Sequence, residues 1–270
     1  MVTQDFNKII RAESFKLRKQ KTSYIVPVAV MLLGILLFVV LEFTTRRNWI
    51  GVPSGHFVAA SVISWIGNVM MLLVVLMTSF IVSQEFALGT IKSTLVRPVT
   101  RGQWYTAKVF TAAVSLSVLF LCVVVVVVAL AAVRLGLTDL TEKNYVVHTA
   151  RSLTFRLVLS VGLTVFALWA VTVFVALVAG VFNHPGGAIA AALGAGVLMV
   201  VLGAFPAARP FLLTTYMSAP WEQMVAMSKG LPLPYEWGQL VWRTLAGAGA
   251  WMVLGFVVGQ HLIRKKEITS

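Results

Sequence analysis

Between Glu85 and Lys108 the chain gathers residues whose types and order could do work: Glu85, Gly89, Thr90, Lys92, Leu95, Pro98, Arg101 and Lys108. None of them suits bond-making. One carboxylate and several cations at these spacings offer ion pairing, helix capping and a docking surface. Gly89 permits a sharp change of direction. Thr90 can cap a short helix running to about Val96, which Pro98 stops. A second helix starts at once: Thr100 and Gln103 have the spacing of a capping box, and Val99 with Trp104 fits the accompanying hydrophobic staple. The spacing predicts a rigid helix–turn–helix elbow, able to carry a push from a soluble partner.

Residue patterns that catalyse are missing. There is no Gly-x-x-x-x-Gly-Lys-Ser/Thr phosphate loop, no Gly-x-Gly-x-x-Gly after a strand and no His-Glu-x-x-His. The histidines (His56, His148, His184, His261) are scattered over loops and a span end. Cys122 stands alone inside an apolar run, without a disulfide partner or metal-ligand spacing, and is expected to be a small packing residue. We expect no catalytic residue, no metal site and no cofactor on this chain.

The elements that must position the elbow are membrane spans. Apolar residues make up 59% of the 270, charged residues only 11%, and the mean hydropathy is +0.91. A soluble globule carries roughly a quarter charged residues, so this chain cannot cover a water-facing surface. A span needs about 20 apolar residues. Six segments qualify: Tyr24 to Phe43, Val62 to Val82, Val109 to Val133, Leu157 to Phe182, Gly186 to Phe205 and Leu245 to Ile263. No small-residue cleavage site follows the first of them, which is expected to stay as an anchor. The valine run Val123 to Val128 must be helical in lipid, where backbone hydrogen bonds have to close internally. The fold expected is therefore all-α and polytopic.

The formal net charge of +13 would point to nucleic acid in a soluble protein. Here the cations flank apolar runs, where lipid head groups and the positive-inside bias account for them, and no nucleic-acid partner is expected. The segment before the first span is the most lopsided, with Lys8, Arg11, Lys16, Arg18, Lys19 and Lys21. With that segment inside, six spans place both termini in the cytoplasm. Glu42, Glu85 and Arg134 lie at span ends and no charged residue is expected at mid-bilayer, which argues against an ion-coupled carrier. Asn68, Ser115, Ser117, Thr164 and Thr172 are expected to make helix–helix hydrogen bonds.

Residues 1–23 read as an amphipathic interfacial helix. Phe6, Ile9, Ile10 and Leu17 fall on one face, while Asn7, Arg11 and Arg18 fall on another. Glu13 falls within the apolar face. A carboxylate there is costly against lipid and calls for a protein partner or a basic neighbour. At the other surface, the stretch from Pro206 to Thr244 carries several prolines with Tyr216, Trp221, Tyr235 and Trp237. It is expected to form short interfacial or re-entrant helices. In the fifth span Gly186, Ala190 and Gly194 form one small-residue row, with Gly187, Ala191 and Ala195 beside it. Gly255 and Gly259 make a GxxxG in the sixth. Such rows serve either contact with a second copy or packing within one subunit.

Glu85, Gly89-Thr90, Leu95, Pro98, Arg101 and Lys108 match E-x-x-x-G-T, then L-x-x-P-x-x-R, then a later lysine. That pattern resembles the permease subunits of ABC-2 type transporters, including the small six-span permeases of antibiotic-peptide immunity and export systems. The resemblance extends to the basic N-terminal helix and the long outer segment before the last span. It implies that residues 24–270 form an ABC-2 type permease domain, in a bacterial or archaeal cytoplasmic (inner) membrane. It implies a half-transporter: two permeases pair, identical or related, and each docks on a separate cytoplasmic ATPase that holds ATP and Mg. Residues Gly89 to Arg101 would be the coupling helix and Glu85 its membrane junction, with Lys92 on the same segment. The N-terminal helix (Phe6, Ile9, Ile10, Glu13, Lys16) would also touch the ATPase. Pairing through the first and fifth spans would involve Gly186, Ala190 and Gly194. The function implied is export of an amphipathic, lipid-like, drug or peptide cargo. The alternatives are a scaffold or sensor subunit whose ATPase drives assembly or signalling, and an ion-coupled carrier.

Overall fold

The computed structural model describes residues 10–16, 19, 21–48, 54–87, 100–142, 145–233 and 235–265. Its principal helices are α1 (Thr22–Asn48), α2 (Gly55–Ala87), α3 (Arg101–Arg134), α4 (Ala150–Val181), α5 (Pro185–Leu202), α6 (Leu213–Ser228) and α7 (Trp237–Lys265). Six of them, all but α6, are long and apolar enough to cross a membrane. Each contains one of the segments found by hydropathy, except that α4 ends at Val181, one residue short of Phe182, and α5 ends at Leu202, short of Phe205. Gly203 and the tight turns after it take over there.

Local chemistry sets the starts. Ser54 accepts from the Phe57 amide (3.2 Å) at the head of α2. Thr149 accepts from Ser152 (3.3 Å) at the head of α4, and Pro185 occupies the first turn of α5, where its missing N–H costs nothing. The expected capping box of α3 is present, with Gln103 N to Thr100 Oγ1 at 3.3 Å and Thr100 N to Gln103 Oε1 at 3.1 Å.

α4 lies at the centre, packed on α2, α3, α5, α6 and α7. The core it shares with α2 and α3 includes Ile63, Ile66, Met70, Phe120 and Leu168. In lipid, van der Waals packing of this kind supplies most of the association between helices. Much of α1, α5 and α7 is left exposed for lipid or another protein surface.

Several sequence expectations change in detail. A two-stranded antiparallel hairpin, β1 (Leu140–Glu142) with β2 (Tyr145–His148), stands between α3 and α4, an element that hydropathy alone does not reveal. Cys122 is exposed on α3 and does not pack in the interior. Ser115, Thr164 and Thr172 turn back onto the carbonyls four residues earlier in their own helices. Ser117 alone of these hydroxyls joins two helices, accepting from Trp169 Nε1 at 2.9 Å.

The segment before α7 is re-entrant. A 3₁₀ turn at Arg209–Phe211 leads into α6, and the Phe211 carbonyl accepts from Trp251 Nε1 at 2.8 Å. Trp251 lies about 21 Å along α7 from Trp237, at a rise of about 1.5 Å per residue. α6 then climbs outward beside α4, with Pro220 at Ser160 and Met227 at Arg156. Its inner face is dry: Trp221, Gln223 and Met224 are buried. Arg209 lies two residues before the Phe211 contact with α7, in the stretch expected to be interfacial or re-entrant.

The two small-residue patterns separate. Gly255 packs on Val173, and Gly259 on the ring of Tyr105, so the GxxxG of α7 serves packing inside the subunit. Gly186, Ala190 and Gly194 form an exposed row on α5, and no atom lies within 4 Å of a Cβ built at Gly186 or Gly194. Replacing Gly259 by Ala should therefore force the buried Tyr105 ring to move, at about 1–3 kcal/mol. Gly194→Ala should be neutral or stabilising by up to about 1 kcal/mol through helix propensity. Thermal unfolding of the two variants in the same detergent should rank them in that order.

Candidate functional site: a buried charge cluster at one end of the bundle

Glu85 lies in the last turn of α2, and Trp104 and Lys108 lie one turn apart in the first turns of α3. The capping box fixes where α3 begins and so aims both side chains at Glu85. Residues 10–16 are helical and put Glu13 and Lys16, three positions apart, on a common face. The three segments meet in one cluster. Lys108 Nζ donates to Glu13 Oε2 and to Glu85 Oε1, both at 2.8 Å. Lys16 Nζ donates to Glu13 Oε1 and Glu85 Oε1, both at 2.9 Å. Trp104 Nε1 donates to Glu85 Oε2 at 2.8 Å.

The arrangement closes electrostatically. Two carboxylates face two ammonium groups, and every carboxylate oxygen has a donor. Lys108 is 3% exposed, Glu13 6% and Glu85 7%, so none of these charges could stand there alone. Lys108 also sits 5.5 Å from the Trp104 ring centroid, a favourable cation–π placement. Burial lowers the Lys16 pKa, but its hydrogen bonds to Glu13 and Glu85 outweigh this and hold it above its ordinary 10.5. Its contribution is therefore complete below that value and is lost only as the pH rises through the raised pKa.

α7 closes the same end. Arg101 Nη1 donates to the Arg264 carbonyl (3.3 Å) and Gln260 Nε2 to Thr106 Oγ1 (3.1 Å). A second, more open ion group lies at the opposite end of α1 and α3. There Glu42, 5% exposed, pairs with Arg46 at 2.9 Å and meets Arg134 at 3.5 Å. Both arginines are largely exposed, so that group is worth little on its own.

The expected site residues divide accordingly. Glu13, Lys16 and Glu85 are brought together, Arg101 is held beside them against α7, and Ile10 is half-buried on the N-terminal segment. Gly89, Thr90, Lys92, Leu95 and Pro98 lie outside the described residues, as do Phe6, Ile9 and Val99. The basic neighbour demanded by Glu13 exists, and it is chiefly Lys108. Sequence reasoning counted Lys108 only as a motif lysine and Trp104 only as a staple residue. Their four-residue spacing on one face, opposite a span-end glutamate, was the available signal.

A bundle of six apolar helices, gathered at one end by a charge cluster suited to positioning and not to catalysis, defines a multi-pass membrane protein of permease type. The chain belongs to the family of ABC-2 family transporter proteins, which it matches over residues 9–183. That stretch contains every member of the cluster. Membership supplies the role of membrane component in an ABC transporter, with a partnering ABC ATPase and a lipid bilayer around it. A search of curated proteins finds no match.

Lys108→Met should leave Glu13 and Glu85 with Lys16 alone, at a cost of about 3–5 kcal/mol. Glu13→Gln combined with Lys108→Met should cost less than the two single changes added together, because each single change strands a buried partner. The N-terminal segment should become protease-sensitive in either single variant while the spans stay protected. Limited proteolysis with thermal unfolding checks both expectations.

Proposed function

We propose that the chain is the membrane half of an ATP-driven exporter, and that the Lys108 cluster joins its spans to the surfaces touched by the ATPase. Two copies of a separate cytoplasmic ATPase bind and hydrolyse ATP with Mg. A second permease copy, identical or related, completes the pathway. The basic N-terminal segment, both chain termini and the 88–99 elbow face the cytoplasm, in a cell's inner membrane. The cargo is amphipathic: lipid-like, drug-like or peptide.

One observation carries this reading. The N-terminal segment, the end of α2 and the start of α3 are tied by a single closed set of charges. Residues 88–99 connect the end of α2 to the start of α3, and both of those helix ends contribute to that set. A push on the elbow or on the N-terminal helix acts on α2 and α3 together, since separating the charges would strand them in a low-dielectric interior. α2 and α3 then move as a pair, and the cavity between permeases opens or closes. Glu85 and Lys108 position these elements; Gly89, Thr90, Lys92, Leu95, Pro98 and Arg101 form the ATPase contact. Gly186, Ala190 and Gly194 on α5 meet the second permease.

Co-purification with the ATPase encoded beside this chain, followed by transport into inside-out vesicles, tests the proposal. Gly89→Leu and Pro98→Ala should leave the complex assembled but reduce ATP-dependent uptake of a labelled amphipathic peptide or lipid by about tenfold, or about 1.4 kcal/mol. Unchanged ATP-coupled transport in an assembled complex would refute the coupling role.

A further inference from the structure

A cavity of about 300 Å³ lies between α2, the end of α5 and α6, far from the Lys108 cluster. Its size is at the lower end of small-molecule pockets, roughly 300–1,000 Å³. Asn68 of α2 lines it about 20 Å from the Gly55 end of that helix, at about 1.5 Å per residue. Arg209 and Glu222 line it as well. Asn68 and Glu222 have no hydrogen-bond or ion-pair partner among the described residues. Arg209 uses its Nε on the Gly203 carbonyl at 2.9 Å, which leaves both terminal nitrogens free to donate. The cation and the carboxylate thus share one cavity without neutralising each other. All three side chains are exposed, so they reach the cavity from its open side, where an incoming head group can meet them.

Polar and ionisable groups inside a membrane protein face one another or a cavity, because lipid cannot solvate them. Here they face a cavity whose remaining walls include the apolar side chains of Met71 and Val200 and the hydroxyl of Ser218. A guanidinium presents a planar fork to a phosphate or carboxylate, and a carboxylate receives an ammonium. We propose that this cavity binds an amphiphile with a zwitterionic head group. Arg209 takes the anionic end, Glu222 the ammonium, Asn68 an oxygen between them, and the apolar wall the start of the chain. The head group can come from a bilayer phospholipid or from a transported amphiphile. The shared chemistry is a phosphate and an amine on one apolar chain.

The test needs neither ATPase nor nucleotide, so its failure would leave the coupling proposal untouched. The purified chain is titrated with lysophosphatidylethanolamine and, separately, lysophosphatidylglycerol, and bound adducts are counted by native mass spectrometry. The ethanolamine lipid should bind about tenfold more tightly. Glu222→Gln should abolish that preference by weakening only the amine-bearing lipid. Glu222 is exposed and has no hydrogen-bond or ion-pair partner among the described residues, so this variant should unfold at the wild-type temperature. Arg209→Gln should weaken both lipids about tenfold, and Arg209→Lys should restore part of the loss. Phosphatidylethanolamine retained from the membrane by wild type but not by Arg209→Gln identifies the bilayer as the source. An empty protein as isolated that still prefers the ethanolamine lipid identifies a transported amphiphile. Equal affinity for the two lipids in wild type, or a preference that survives Glu222→Gln, would overturn the proposal.

Discussion

A buried charge in a membrane protein has one inexpensive solution, which is to be neutralised by a partner that cannot leave. Lys108 meets that condition through Glu13 and Glu85, separated from it by 95 and 23 residues. Much of the architecture at this end follows. The N-terminal segment is held against the bundle, because releasing Glu13 would strand Lys108 with half its partners. α2 and α3 keep their mutual register, because Glu85 is reached from both Lys108 and Trp104. Such a network adds little net stability over an apolar core, since desolvation offsets most of the attraction. It gives positional specificity where three segments meet.

The rest of the bundle is held by shape. α4 has apolar residues all round because it has neighbours on nearly every side, and the small residues of α7 let Tyr105 and Val173 approach its backbone. These contacts have no charge to separate, whereas parting the charge cluster would strand buried ions. On the proposed coupling, that junction is where a local push would be passed to whole helices.

Composition and hydropathy place all six spanning helices, because lipid admits so few backbone solutions. The capping box at Thr100 and Gln103 is equally legible, since its two bonds are local to four residues. The need of Glu13 for a basic neighbour follows from its place on an apolar face. What sequence cannot assign is the identity of a distant partner: Lys108 reads as one more positive-inside lysine until the fold brings residue 13 to it. The β1–β2 hairpin escapes for a different reason. Its strands are three and four residues long, too short for period-two alternation to stand out. The prolines and aromatics of Pro206 to Thr244 suggest an interfacial or re-entrant segment, but its particular contact with Trp251 on α7 is a distant pairing that sequence does not assign.

α2 connects the two polar regions. It runs without a proline from the hydroxyl cap at Ser54 to the last turn at Glu85. Asn68 and Glu85 are separated by about 26 Å of continuous helix at about 1.5 Å per residue. A proline-free helix of this length resists kinking, because a kink would break backbone hydrogen bonds that lipid cannot replace. On the proposed coupling, displacing Glu85 would displace the wall of the cavity that Asn68 lines, while Arg209 and Glu222 belong to a different segment and need not follow. The distance between Asn68 and those two charges is then the quantity that movement at the junction changes. On the proposed reading of the two ends, a neutralised cluster serves as the handle of α2 and an un-neutralised cavity lies at its working end. The same charge that must be paired at the handle must be left open where a ligand is to be held and released.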